Sequence, residues 1–327
     1  MATTQAISQT DEDIQPVTRK AYLEYMDFFR SFAILTVVLI HAGNAMLLQG
    51  LAGPLSASSE AVRTGLHLVS HNSTIYFALI SGVLYAHILS GKPHATFMRT
   101  RMTHVALPYA IISIVITLLL SANALRHGTA GTPADIAGLL AYNIMLGEAW
   151  NTLWYIPVIL VLYLVSPLLM IALNDRRYHW IIAVIILLPL FVSRTGTEVT
   201  LSMLTYYCGV YTVGMIIGLN VQPRVDFLNR HVRMAACIAL VAAVFIAILD
   251  WRHIDYLGFT SLRESGFYVL RLALAALMIV WLYRWSPDMR PETARWLKLI
   301  AAWSFGIYFL HGPLLRPIAR SVGQFVP

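Results

Sequence analysis

Apolar residues run along this chain in nine stretches, near 28–48, 66–90, 105–123, 151–173, 179–194, 201–219, 234–250, 267–284 and 299–317. A hydrocarbon core of about 30 Å takes roughly 20 helical residues to cross. The pattern therefore predicts an all-α fold, a polytopic transmembrane helical bundle of about 9–10 spans. One further apolar segment, "IAGLLAYNIMLG" at 136–147, is too short to cross. It predicts an interfacial or re-entrant helix, and full insertion would make it the tenth span and flip the loops that follow.

The segments between the runs set the orientation. With the N-terminus in the cytoplasm, the inner segments carry 14 basic residues, among them Arg19, Lys20, Lys92, Arg99 and Arg101, against 7 in the outer segments. Basic residues collect in short cytoplasmic loops, so the N-terminus is expected inside. The net charge of +7 is thereby read as topology, and nucleic acid is not expected as a partner. Composition agrees with a chain immersed in a bilayer: 58% of the 327 residues are hydrophobic and 12% charged, where a soluble domain carries about a quarter charged residues. Residues 1–24 are polar and lack a signal-peptide pattern, so they read as a cytoplasmic tail. Residues 25–320 then form one transmembrane domain and 321–327 a short C-terminal tail. The two cysteines, Cys208 and Cys237, lie in apolar runs and imply neither a disulfide framework nor a zinc motif.

Ionisable residues inside spans are expensive and single out candidate chemistry. The first span reads "MDFFRSFAILTVVLIHAGN", with Asp27 and Arg30 near one end and His41 well inside. Eleven residues at about 100° each return to within about 20° of the starting face, with a rise of about 16 Å. Arg30 and His41 thus share a face, Arg30 near the cytoplasmic surface and His41 in the outer half. Asp27 lies on that face too and can pair with Arg30, although the two also suit a plain helix end where long side chains snorkel. The last span carries His311 in "FGIYFLHGPLL", at a depth similar to His41, with Gly312 and Pro313 loosening the helix after it. A hydrogen bond to a neighbouring helix is the simpler use of that histidine. His67 and His71 are four apart on one helix face, but no third metal ligand accompanies them, and no metal site is expected. Trp154 and Tyr155 suit stacking on a sugar ring or anchoring at the membrane interface.

Four stretches, in order, resemble the membrane-bound acyltransferase family 3. "DFFRSFAILTVVLIH" carries its Arg, ten residues, His signature. "YFALISGVLYA" resembles its aromatic, Ser-Gly second span. "LWYIPVILVLYLVSPLL" resembles its Trp-Tyr span ending in proline, and "SFGIYFLHGPLL" its closing Tyr-x-x-His-x-Pro helix. The resemblance covers about 28–317. It implies transfer of an acyl group, commonly acetyl from cytoplasmic acetyl-CoA, to a hydroxyl of a sugar or other extracytoplasmic acceptor. No cofactor is then bound; acyl-CoA is a co-substrate. The implied setting is a multi-pass protein of a bacterial cytoplasmic (inner) membrane, with a carbohydrate acceptor and with envelope polysaccharide assembly proteins as candidate partners. The sequence departs from the family where "MRTRMTHVALPY" has Arg101 followed three residues on by His104, not by a second arginine, with Arg99 just upstream.

Acyl transfer needs a base for the hydroxyl proton and donors for the developing oxyanion. His41 is the candidate base and Arg30 its companion. His311, Asp27, Trp154 and Tyr155 are candidate catalytic or substrate-contacting residues. Arg99, Arg101 and His104 are the candidate donor site for CoA phosphates. Two rival readings use similar features: a transporter or flippase for a lipid-linked sugar, which also buries polar residues in a helix bundle, and a non-catalytic subunit of a polysaccharide machine.

Overall fold

A computed structural model describes residues 23–48, 57–89, 93–126, 132–194, 196 and 198–323. Residues 1–22 and 324–327 of the expected tails (1–24 and 321–327), and Lys92 of the first inner loop, lie outside the described residues; Glu24 belongs to the first helix and 321–323 to the last. Among those described the chain is helical, apart from one small hairpin, Tyr256–Leu257 paired with Thr260–Ser261. The helices are α1 (Glu24–Leu48), α2 (Ala57–Ser70), α3 (Thr74–Leu84), α4 (His94–Arg101), α5 (Leu107–Arg126), α6 (Pro133–Leu146), α7 (Tyr155–Asn174), α8 (His179–Leu187), α9 (Leu201–Leu219), α10 (Val221–Arg230), α11 (Val232–Arg252), α12 (Leu262–Trp285) and α13 (Pro291–Gly323).

Six helical segments are long and apolar enough to cross a membrane: Glu24–Asn44, His94–Ala122, Tyr155–Asn174, Leu201–Leu219, Val232–Arg252 and Leu262–Asp288. The other three expected spans are built differently. The run at 66–90 is broken at His71–Ser73, where Asn72 takes a left-handed conformation (φ 58°) between α2 and α3. The run at 179–194 is the nine-residue α8 followed by one tight turn, Leu188–Leu190, that holds Pro189; proline has no N–H with which to continue the helix. The run at 299–317 is the middle of the 33-residue α13, whose first turns are charged and amphipathic. The segment at 136–147 is the 14-residue α6, started by a reciprocal cap between Thr132 and Asp135. Elsewhere one span is longer than expected. Pro108 leaves the His104 carbonyl without its helical donor, and the backbone widens into a π-turn over Met102–Ala106,. That turn joins α4 to α5 as one continuous span.

Contacts between helices give their relative directions. Along α1 and α13, Glu24 pairs with Lys298 at 2.5 Å, the Ser31 hydroxyl donates to the Leu297 carbonyl, and His41 meets His311. These two helices run parallel. So do α3 and α9, where Thr74 bonds Tyr207 at 2.5 Å and Leu79 and Val83 meet Gly214 and Gly218. Against α12, α1 runs antiparallel, Tyr25 on Tyr283 and Phe32 on Trp281. The nine-run map, taken as alternating crossings, assigns the same directions to each of these pairs.

The α3–α9 contact is the tightest in the bundle. A Cβ on Gly214 would lie 2.1 Å from the Leu79 carbonyl oxygen, one on Gly218 2.3 Å from that of Val83, and one on Gly82 2.1 Å from that of Tyr211. Lipid tails are as apolar as leucine, so helices in a bilayer associate largely through such close packing, and small residues four apart permit it. Gly214→Val should lower the thermal unfolding temperature in detergent by an amount equivalent to about 1–3 kcal/mol or more, the usual cost of overpacking. Gly138→Ala is the control, since nothing lies within 4 Å of its Cβ position. Equal unfolding temperatures for Gly214→Val and Gly138→Ala would contradict the assigned contact.

Candidate active site

The parallel α1–α13 contact brings His41 and His311 together, ring centroids 5.0 Å apart and planes tilted at 50°. His311 is 5% exposed. Its Nδ1 lies 2.7 Å from the Tyr308 carbonyl oxygen and 3.3 Å from that of Ile307. A carbonyl only accepts, so Nδ1 carries a proton, and in the neutral ring Nε2 keeps a lone pair. That Nε2 is buried without a hydrogen-bond partner among the described residues. Gly312 explains how the next wall comes so close. A Cβ there would lie 2.6 Å from Trp150 Nε1 and 2.8 Å from Thr152 Oγ1. The Tyr308 hydroxyl donates to the Thr152 carbonyl, locking the loop before α7 onto α13.

Aromatic rings extend this centre inward from the loop. Tyr155 packs 6.1 Å from Tyr308 and 5.5 Å from Tyr207, and Trp154 packs 5.6 Å from Tyr207. Both Trp154 and Tyr155 are buried inside the bundle, which overturns the expectation of anchoring at the membrane interface. The face of Trp154 carries the Arg194 guanidinium at 4.5 Å. Arg194 donates to Asn72 Oδ1, and Asn72 donates to Glu264 Oε2 at 2.7 Å and to the Tyr206 oxygen at 3.2 Å. His71 meets the other Glu264 oxygen at 3.0 Å. His67 stacks on His71 and contacts Asn44 and Arg263. In the loop before α7, burial and the charge of Glu198 push the Glu148 carboxyl above its ordinary value,.

Arg271 holds the broken α2–α3 segment in place. It is fully buried, and its guanidinium donates to the carbonyls of His67, Leu68, Val69 and His71 at 2.6–2.9 Å and to the Tyr76 hydroxyl at 3.4 Å. The last carbonyls of a helix have no partner of their own. One planar, always charged fork binds three of them, on His67, Leu68 and Val69, and the His71 carbonyl just beyond the helix,.

A second cluster lies at the other end of α1. Arg30 is 3.7 Å from Asp27 and within electrostatic reach of Tyr163 and Arg101. Arg101 lies over Phe97 at 5.2 Å and Tyr163 at 5.3 Å, and its Nε is buried without a partner among the described residues. Arg99 and His104 are exposed. Of the three basic residues in this stretch, Arg101 is the one brought to Arg30. His94 packs on Phe97 with both ring nitrogens buried and without partners among the described residues.

Two polar centres thus sit at the two ends of one face of α1. The acyltransferase family 3 model, described as an acyltransferase domain, matches residues 23–326. The chain belongs to this family. It is a multi-pass membrane acyltransferase by that membership and by its six long apolar helices. No curated protein and no solved structure matches it.

Several residues of this acyltransferase were not singled out in its sequence: Arg194, Asn72, Glu264, Thr152 and Tyr207. The "SHNST" interruption at 70–74 was the available signal for the α2–α3 break. The Gly214-x-x-x-Gly218 spacing was the signal for the α3–α9 contact. Arg194 sat in what read as a plain connecting loop. Arg271→Met should strand the Leu68, Val69 and His71 carbonyls, since the His67 carbonyl keeps the His71 N–H, each unpaired buried group costing about 1–3 kcal/mol. The expected outcome is a large loss of unfolding temperature in detergent and faster protease cleavage at 71–73, with Arg271→Lys rescuing only in part. Wild-type values for Arg271→Met would remove it as the clamp.

Proposed function

We propose that this membrane acyltransferase moves an acetyl or other short acyl group from cytoplasmic acyl-CoA to a hydroxyl of an extracytoplasmic carbohydrate, in a bacterial cytoplasmic membrane. The observation that carries the reading is the division of α1 into a basic end, Arg30 with Arg101, and a two-histidine end, His41 with His311. CoA carries phosphates and suits the basic end. Its pantetheine arm is thin and extended, and can thread the acyl group along the roughly 16 Å of helix rise to the histidines. The acceptor then enters from the opposite side, and CoA itself need not cross.

At the histidine end, His41 takes the hydroxyl proton. Imidazole suits that task because its ordinary pKa lies near working pH. His311, with its unpartnered Nε2 facing the same space, is close enough to share that proton. Asp27 orients Arg30 at the donor end. Trp154 and Tyr155 wall the acceptor side from within the bundle.

His41→Ala should abolish acyl transfer in membranes while leaving expression and insertion unchanged; transfer at the wild-type rate would sink the base assignment. Arg101→Gln should raise the KM for acetyl-CoA on the order of tenfold, as loss of one charge-assisted hydrogen bond of about 1.5–3 kcal/mol implies. Arg99→Gln, on an exposed side chain, should change it less than Arg101→Gln. Equal effects, or none, would remove Arg101 from the donor site. The acceptor class is tested by mass spectrometry of surface glycans with and without the gene: loss of an acyl increment supports the reading, and an unchanged acyl content contradicts it.

A further inference from the structure

Acyl transfer leaves negative charge on the carbonyl oxygen of the acyl group, and the His41–His311 pair supplies no fixed donor for it. The loop before α7 does. Thr152 is 3% exposed and Tyr155 is 3% exposed, yet Thr152 Oγ1 and the Tyr155 hydroxyl are both buried without a hydrogen-bond partner among the described residues. A buried hydroxyl left unpaired costs free energy, so each such group calls for an explanation. Both belong to the wall that closes on His311. Thr152 Oγ1 lies 2.8 Å from the Cβ position of Gly312, the residue next to His311. The Tyr308 hydroxyl donates to the Thr152 carbonyl and is also hydrogen-bonded to the backbone of Tyr155. His311 Nε2 is likewise buried without a partner among the described residues. Two unused donors, on Thr152 and Tyr155, and one unused acceptor, on His311, thus belong to residues at the contact between α13 and the start of α7. The N-terminus of that 20-residue helix has no side-chain cap and adds its positive dipole end,.

We propose that the Thr152 and Tyr155 hydroxyls are the oxyanion donors of the transfer centre. The inference rests on the acyl-transfer reading above and adds the residues that stabilise its intermediate. The acceptor oxygen bonds to the acyl carbon as its proton passes to His41. The carbonyl π pair moves onto oxygen, which takes hydrogen bonds from the two hydroxyls. Collapse re-forms the carbonyl and breaks the carbon–sulfur bond, and the departing CoA thiolate takes the proton from His41. Atoms and charge balance, and no further reactant enters. Gly312 follows from the same geometry, because any side chain there would push Thr152 and Trp150 off α13.

The test uses the full-length protein in membranes of cells that make its acceptor, with labelled acetyl-CoA as donor. Thr152→Val keeps the shape and removes the hydroxyl; Tyr155→Phe does the same. Each should lower kcat by about 10²–10³-fold, the usual effect of deleting an oxyanion donor, with the KM for acetyl-CoA nearly unchanged. Thr152→Ser should restore most of the rate. Both hydroxyl-deleting variants should unfold at or above the wild-type temperature, because a costly unpaired group has been removed. A hydroxyl needed for structure would instead lower that temperature. Wild-type kcat in Thr152→Val and Tyr155→Phe, beside active wild-type protein, overturns this proposal and leaves the transfer reading standing. No label transfer by the wild-type protein, with any acyl-CoA supplied, overturns the transfer reading and this proposal together.

Discussion

Inside a bilayer every buried polar group must find its partner within the protein. That constraint shapes this chain from end to end. It explains why a fully buried arginine, Arg271, sits on four carbonyls at and just past the end of α2. It explains why Asn72, in a strained left-handed turn, spends its amide on Arg194, Glu264 and Tyr206. It also makes the exceptions informative. Among the described residues the same bundle leaves His311 Nε2, Thr152 Oγ1 and the Tyr155 hydroxyl without partners at the α13–α7 contact, and Arg101 Nε and the His94 ring nitrogens at the opposite end.

The parallel pairing of α1 with α13 turns this into a working arrangement. A single helix cannot hold two facing histidines and a closing wall. The first and last long helices of the chain do so together, because both run the same way and meet from Glu24–Lys298 to His41–His311. The α3–α9 pair, packed through Gly82, Gly214 and Gly218, forms the rigid floor that carries Tyr207 beneath the aromatic wall. Rigidity there matters, since hydroxyl donors help an intermediate only when they are already aimed.

Much of this was legible in the chain itself, in a specific way. The helical class, the apolar runs and the shared face of Arg30 and His41 follow from local periodicity, which a sequence displays directly. The order of motifs pointed to the family that the match over residues 23–326 then gave. What escaped was of two kinds. Breaks such as 71–73 and the short α8 vanish when long apolar runs are averaged, although polar residues and Pro189 mark them. Partnerships such as Arg194 with Trp154, or Tyr308 with Thr152, join residues 40 and 156 positions apart. No spacing rule reaches across such distances. Trp154 and Tyr155 belong with these: an aromatic pair at a span's start looks alike whether it meets lipid or the inside of a bundle.

The account stands on one physical claim, that the acyl group crosses while CoA stays. Inverted membrane vesicles carrying the protein, with the cytoplasmic face outward, can be given acetyl-CoA labelled separately in its acetyl and CoA parts. The account predicts acetyl label in enclosed glycan and CoA label retained outside, both dependent on His41. Entry of the CoA label with the acetyl label, or acetylation confined to the outer face, would contradict it.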